Sequence, residues 1–176
     1  MKKNLIYIVL LAALGIIAFV PGVKETFMPV AEIEDAVKVN DEDYDIVLEG
    51  LNTPNANLKD FKGKKLLFLN FWGTWCAPCR EEWPTIEALY KNRKDEMDFV
   101  LIAMLDEKEA VLKFMKENGY TAPVYLAKSP ITGKILPKVY PTTFILDKTG
   151  RILQKETATK DWNSVESNEF IDNMLK

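Results

Sequence analysis

An apolar run that leads into a Cys-x-x-Cys motif constrains the fold of this chain more than any other feature. Residues 65–71 read Lys-Leu-Leu-Phe-Leu-Asn-Phe. A short run that is apolar at nearly every position predicts a strand buried on both faces of a sheet. Residues 80–90 follow with a helical pattern, which Pro84 is expected to interrupt. Cys76 and Cys79 therefore lie where a central strand leads into a helix.

The absence of histidine limits the chemistry available to these 176 residues. It excludes His-based catalytic triads and His-ligated haem or zinc sites. Cys76 and Cys79 are the only cysteines, so an all-cysteine zinc site would need two thiolates from another subunit. The net charge of -3, without a basic stripe, argues against a nucleic-acid partner. Redox chemistry by the cysteine pair, with no metal or other cofactor, is the leading interpretation.

The first twenty-three residues predict a transmembrane anchor. Residues 5–20 carry no charge, and residues 5–23 would extend roughly 28 Å as a helix, against about 30 Å of hydrocarbon. A cleaved secretory signal and a buried core helix are the alternatives, although the sequence around Pro21 offers no small-residue cleavage site. Lys2 and Lys3 precede the run, so we expect a single-pass protein of the cell (inner) membrane whose remaining chain lies on the periplasmic or extracytoplasmic side.

The remaining chain is expected to consist of an acidic tether, residues 24–40, and one α/β domain, residues 41–176. Its patterns predict strands, a helical turn, two further helices and a hairpin. These elements are strand 44–48, turn 58–61, strand 98–105, helix 107–118, strand 122–127, strands on either side of turn 147–150, and a closing helix 164–175 with Val165, Phe170, Ile171 and Met174 inward. That order is typical of an α/β sandwich with a mixed sheet.

The position of the two cysteines predicts different roles for them. A helix N-terminus favours a thiolate through its dipole and free N–H groups, so Cys76 is the expected nucleophile. Cys79 lies one turn deeper and is expected to be more buried and to react second. A fixed structural disulfide is the alternative, although a bridge across two residues removes little entropy from the unfolded chain.

Two segments resemble the thioredoxin superfamily and, within it, the TlpA/ResA-like membrane-anchored thiol-disulfide oxidoreductases. They are Phe-Trp-Gly-Thr-Trp-Cys-Ala-Pro-Cys at residues 71–79 and Val-Tyr-Pro-Thr-Thr-Phe-Ile-Leu-Asp at residues 139–147. The resemblance covers about residues 41–176 and implies a thioredoxin-like three-layer sandwich with a central mixed sheet. It further implies a cis Pro141 facing the cysteines, a Tyr140 backbone that pairs with the substrate chain, and an exposed Trp75 for partner docking.

The chain departs from the family pattern at positions that handle protons. Asn70 stands where thioredoxins carry a buried Asp, and Ala77 stands where some ResA-like proteins carry Glu. Asp106 and Glu107 resemble an acidic position near the family's active site and are the candidate proton handlers. The alternative is that both are solvated loop carboxylates.

The resemblance implies an envelope reductase that acts on disulfides of exported cysteine-containing proteins, with apocytochrome c as one candidate. A membrane electron-transfer partner would supply the reductant. A disulfide-donating oxidant or isomerase uses the same motif and differs only in reduction potential. A thiol peroxidase and a non-catalytic domain with a fixed disulfide are the remaining alternatives.

Overall fold

The apolar run forms strand β3 (Leu66–Trp72), in which all seven residues are buried. The computed structural model describes residues 38–176, so the expected anchor (1–23) and nearly all of the expected tether (24–40) lie outside the described residues. Within residues 38–176, no helix is long and apolar enough to cross a membrane. The described strands are β1 (Val47–Gly50), β2 (Ala56–Asn57), β3, β4 (Met97–Ala103), β5 (Val124–Ala127), β6 (Thr142–Leu146) and β7 (Ile152–Glu156). The α-helices are α1 (Ala77–Arg93), α2 (Lys108–Asn118) and α3 (Val165–Leu175).

The strands form one mixed sheet in the order β2-β1-β5-β4-β3-β6-β7. Strands β3, β4 and β5 are parallel, whereas β6 pairs antiparallel with β3 and β1 pairs antiparallel with β5. The thioredoxin-like α/β fold with a mixed sheet is thus as predicted. Strand β3 begins at the end of the sheet that holds the β6–β7 turn and ends at the site of the cysteines.

All three α-helices pack on one face of the sheet. The crossovers β3-α1-β4 and β4-α2-β5 advance in the same direction along the sheet, and right-handed crossovers then place both helices on the same face. The opposite face is covered by the chain before β1 and by the 3-10 helices Glu42–Tyr44, Leu58–Phe61 and Gly133–Ile135. The third layer of the sandwich is therefore built without an α-helix in residues 38–176.

Helix α1 passes through Pro84 without a break, so the expected interruption there is wrong. A proline inside a helix costs about 3 kcal/mol relative to alanine. The helix is held in place by its apolar face, because Trp83, Ile86 and Leu89 are completely buried against the sheet. Tertiary packing thus outweighs the local preference.

Two further expectations need correction. The strand expected over residues 44–48 begins at Val47, because residues 42–44 form a 3-10 helix whose Tyr44 is buried in the core. In α3, Ile171 is buried and Phe170 packs on the core, but Val165 and Met174 are 74% and 40% exposed. Val165 is the first residue of the helix and Met174 is the last but one.

Candidate active site

The two cysteines lie between the end of β3 and the first turn of α1, and a disulfide joins them. Cys76 is the N-cap of α1, and its sulfur accepts a hydrogen bond from the Cys79 N–H (3.3 Å). Pro78 occupies the first turn, where a helix needs no N–H from it. Cys79 is fully buried, whereas Cys76 retains a small exposed fraction beside the exposed Ala77 and Pro78. A partner thiol can therefore approach Cys76 more readily than Cys79.

Aromatic side chains flank this opening. Trp75 is half exposed, and its ring contacts the ring of Tyr140 edge to face, with centroids 5.5 Å apart. The Tyr140–Pro141 peptide bond is cis, as the resemblance implies. The structure thus brings Trp75, Tyr140 and Pro141 together next to the turn formed by residues 73–76, which we call the cysteine turn. In contrast, Trp72 and Trp83 are buried and contact each other in the core.

Asp106 holds the turn that precedes Cys76. Its carboxylate accepts hydrogen bonds from the Thr74 N–H (2.5 Å), the Thr74 hydroxyl (2.9 Å) and the Glu107 N–H (3.0 Å). The Thr74 carbonyl in turn accepts a hydrogen bond from Arg80 (2.8 Å). Glu107 is the N-cap of α2, and its side chain makes no capping hydrogen bond. This geometry favours a positioning role for Asp106, because three donors already engage its carboxylate.

A second contact fixes the same turn. The Trp75 indole N–H donates to the carbonyl of Met104, at 2.9 Å. The indole also packs over Gly73, where an added Cβ would lie 2.5 Å from the indole nitrogen. Gly73 is therefore needed for the close approach of the ring.

One turn beyond Cys79, α1 carries a buried carboxyl group that the sequence analysis missed. Glu82 is three residues after Cys79, which places it on the same side of α1, and it is almost completely buried. Burial raises its pKa to about 7, although hydrogen bonds from the Lys160 N–H, the Trp162 indole and Asn70 act in the opposite direction. A carboxyl group with a pKa near neutrality can both accept and release a proton at physiological pH.

Asn70 is the partner of this carboxyl from the sheet. Its amide nitrogen donates to Glu82 Oε1 (3.2 Å) and to the Thr143 hydroxyl (2.8 Å). The amide oxygen is buried and accepts no hydrogen bond. After a half-turn of the amide, that oxygen can accept the proton of a neutral Glu82, which is consistent with the raised pKa. A signal was present in the sequence, since position 82 falls within the apolar face formed by residues 79, 83 and 86.

No cluster of acidic and cysteine side chains that could hold a metal ion occurs in residues 38–176. The chemistry that this arrangement supports is thiol-disulfide exchange at Cys76, with the buried carboxyl group of Glu82 on the same side of α1 as Cys79.

Comparison with known proteins gives consistent matches. The family described as Redoxin matches residues 38–171. The thiol-disulfide oxidoreductase ResA of Bacillus thuringiensis subsp. konkukian is 34% identical, over 88% of this chain and 89% of the relative. ResA of Geobacillus kaustophilus is 32% identical, over 93% and 90%. Among solved structures, a DsbF homologue from Corynebacterium diphtheriae superimposes with a TM-score of 0.61 and 27% identity, covering 78% of this chain and 91% of that one.

Proposed function

Because this chain belongs to the Redoxin family and, within it, to the ResA-like thiol-disulfide oxidoreductases, we propose that it reduces disulfide bonds of exported proteins through Cys76 and Cys79. The observation that carries the proposal is the cysteine pair at the N-terminus of α1, with Cys76 as its more accessible member.

The reaction proceeds in two exchanges that transfer two electrons from the dithiol to the substrate. The Cys76 thiolate attacks one sulfur of the substrate disulfide, and the other substrate sulfur leaves as a thiolate that takes a proton from solvent. The Cys79 thiolate then attacks the sulfur of Cys76 and releases the second substrate thiolate, which is protonated in turn. The enzyme is left with a Cys76–Cys79 disulfide.

The two exchanges place different demands on the site. The helix N-terminus stabilises the Cys76 thiolate before the first attack. Cys79 is buried and must lose its proton before the second attack, and Glu82 is the group that accepts it. Its raised pKa and its position on the same side of α1 support this role. Asp106, whose carboxylate accepts hydrogen bonds from Thr74 and from the Glu107 N–H, positions the turn before Cys76.

The substrate chain docks against the aromatic side chains beside Cys76. Trp75 offers apolar surface, and the backbone of Tyr140, ahead of the cis Pro141, pairs with an extended segment of the substrate. Because a disulfide within an unfolded or extended segment meets these requirements, exported proteins whose cysteines must be returned to thiols are suitable substrates, apocytochrome c before haem attachment among them.

We place the enzyme at the outer side of the cell membrane, held by the anchor (1–23) and the acidic tether (24–40). Two lysines before an uncharged run of sixteen residues support this orientation. Tethering raises the effective concentration of the domain near a membrane-bound electron donor, which would return Cys76 and Cys79 to the dithiol. No cofactor beyond the cysteine pair is required.

A trapping experiment on the full chain tests the proposal. With Cys79→Ser, the second exchange cannot occur, so mixed disulfides between Cys76 and exported proteins should accumulate in the membrane fraction and disappear on reduction. The double variant Cys76→Ser/Cys79→Ser is the control and should trap nothing. Equal trapping by Cys76→Ser alone would contradict the assigned order of attack, and adducts confined to cytoplasmic proteins would contradict the location.

A further inference from the structure

Leu105 adopts a backbone conformation that leucine rarely takes. Its φ is +52°, and it is the one residue other than glycine with a positive φ in residues 38–176. The left-handed region is strained for a side chain with a Cβ, and a branched apolar residue has no local hydrogen bond to offset that strain. Residues held in such conformations are found preferentially at functional sites.

Packing of the Leu105 side chain does not explain the strain. The residue is 83% exposed, the largest exposed fraction among the large apolar residues of the described chain. A leucine that contacts so little of its own protein contributes almost nothing to stability through burial. Glycine at this position would relieve the strain and lose little packing. Leu105 therefore lowers the stability of the folded protein, and its few contacts do not compensate for this.

Met104 and Asp106, the residues on either side of Leu105, form hydrogen bonds with the cysteine turn. The Met104 carbonyl accepts the indole N–H of Trp75, and the Asp106 carboxylate accepts the N–H and hydroxyl of Thr74. The hydrogen bond from the Met104 N–H to the Trp72 carbonyl (2.8 Å) adds a third link to the same segment. Leu105 is thus fixed beside the turn that carries Cys76, with its side chain in solvent.

Leu105 lies between an exposed aromatic side chain and a cavity. On one side is Trp75, half exposed and in contact with Tyr140. On the other is an open cavity of about 240 Å³, whose lining combines Met104, Leu105 and Leu126 with the charged Asp106 and Lys128. A polypeptide segment bound at Cys76 can therefore place a neighbouring side chain against Leu105 and into this cavity.

We propose that Leu105 is a specificity-determining residue, which makes the enzyme prefer substrate disulfides with a large aliphatic or aromatic side chain close to the cysteine. The inference rests on the proposed function and goes beyond it by naming the substrate class. The occupant is an extended segment of the substrate protein, because attack on its disulfide by Cys76 must bring that segment within reach of the residues that flank the cysteine turn.

The test uses two disulfide-linked peptides that are identical except for leucine or serine next to the cysteine. Rates are measured with the reduced full chain in detergent. The wild-type protein should have a kcat/KM that is roughly tenfold higher for the leucine peptide, the size expected for burial of part of one aliphatic side chain. In Leu105→Gly and in Leu105→Asn, whose side chain tolerates a positive φ but is polar, the preference should fall to about one.

Two controls separate docking from a structural role. Val165 is 74% exposed on α3, and Val165→Ser should keep the wild-type preference. The unfolding midpoint of Leu105→Gly should stay level or rise, because glycine relieves the strain. A Leu105→Gly protein that retains the preference, or one that is less stable than the wild type, would overturn the inference.

Oxidised glutathione, which has no large apolar side chain, distinguishes this inference from the proposed function. Val165→Ser should reduce it at the wild-type rate. If the wild-type dithiol reduces neither glutathione nor the peptides, the proposed function itself is overturned, and the inference with it.

Discussion

At the scale of single residues, Glu82 and Asn70 form the least expected part of this site. Thioredoxin-like sequences lead one to look for an acid on the central strand, and this chain has an amide there instead. The acid lies across from it on α1, at hydrogen-bonding distance from the Asn70 amide. The proton-handling group is therefore carried by the helix and not by the strand.

The raised pKa of Glu82 makes folding stability depend on pH. The unfolded chain releases this proton near pH 4.5, whereas the folded protein releases it near pH 7. A rise in pH across that window favours the unfolded state by on the order of 3 kcal/mol. Glu82→Gln removes this dependence, so its stability relative to the wild type should increase between pH 4.5 and 7 and then remain level.

Urea unfolding of the oxidised proteins at pH 4.5, 6 and 8 measures this difference. Glu81→Gln is the matched control, because Glu81 is exposed on the neighbouring position of the same helix. The change with pH found for Glu82→Gln is compared with that of this variant. A constant difference between Glu82→Gln and the wild type would mean that Glu82 titrates normally in the folded protein.

The sequence predicts the cysteines, the cis proline and the exposed Trp75, because each is part of a contiguous motif. It does not predict the raised pKa of Glu82, because the side chain is buried by contacts with Asn70 on the sheet and with the segment at Trp162, both of which lie elsewhere in the chain. The same holds for Leu105, whose unusual backbone follows from the hydrogen bonds of its neighbours to residues about thirty positions earlier.

At the scale of elements, α1 carries two buried carboxyl groups with opposite behaviour. Burial alone would raise the pKa of Glu87, but hydrogen bonds from Thr121 and Ala122, together with Lys91, outweigh it and hold the pKa below its usual value. Its oxygens accept the Thr121 N–H and hydroxyl and the Ala122 N–H at 2.7–3.0 Å. The Glu87 carboxylate thus connects the middle of α1 by hydrogen bonds to the segment just before β5.

Glu87→Gln should weaken this connection by about 1–3 kcal/mol at neutral pH, because an amide offers one acceptor where the carboxylate offers two. The loss should shrink as pH falls through the pKa of the folded carboxyl, since the wild-type carboxylate is then protonated as well. Thermal or urea unfolding at pH 7 and pH 3 measures both values. A loss that is the same at both pH values would show that the charge of Glu87 contributes nothing.

Elements with strong local signals are predicted well, whereas those decided by tertiary packing are not. Helix α2 ends at Asn118, and the Gly119 that follows adopts the left-handed conformation, as the Gly at that position predicts. The turn at residues 147–150 closes with a hydrogen bond from the Gly150 N–H to the Asp147 carbonyl, which confirms the hairpin. Pro84 and residues 44–46 were predicted wrongly, because burial of α1 and of Tyr44 overrides the local preference of each segment.

At the scale of the whole molecule, the described chain begins at the end of the sheet opposite to the cysteines. Lys38 pairs with Arg151 beside the β6–β7 turn, and Leu146, just before that turn, pairs with Leu67 near the start of β3. Cys76 follows the other end of β3. The segment at Lys38 therefore lies at the end of the sheet away from the cysteine turn.

The proposed direction of the reaction depends on the reduction potential of the cysteine pair, a property of the whole molecule that the residues between the cysteines do not fix. Equilibration of the protein with glutathione and dithiothreitol buffers, with the fraction of Cys76–Cys79 disulfide measured at each ratio, tests the central claim most directly. A reductase of exported proteins should have a midpoint near or below about -250 mV. A midpoint near about -120 mV would identify a disulfide donor and contradict the proposed function.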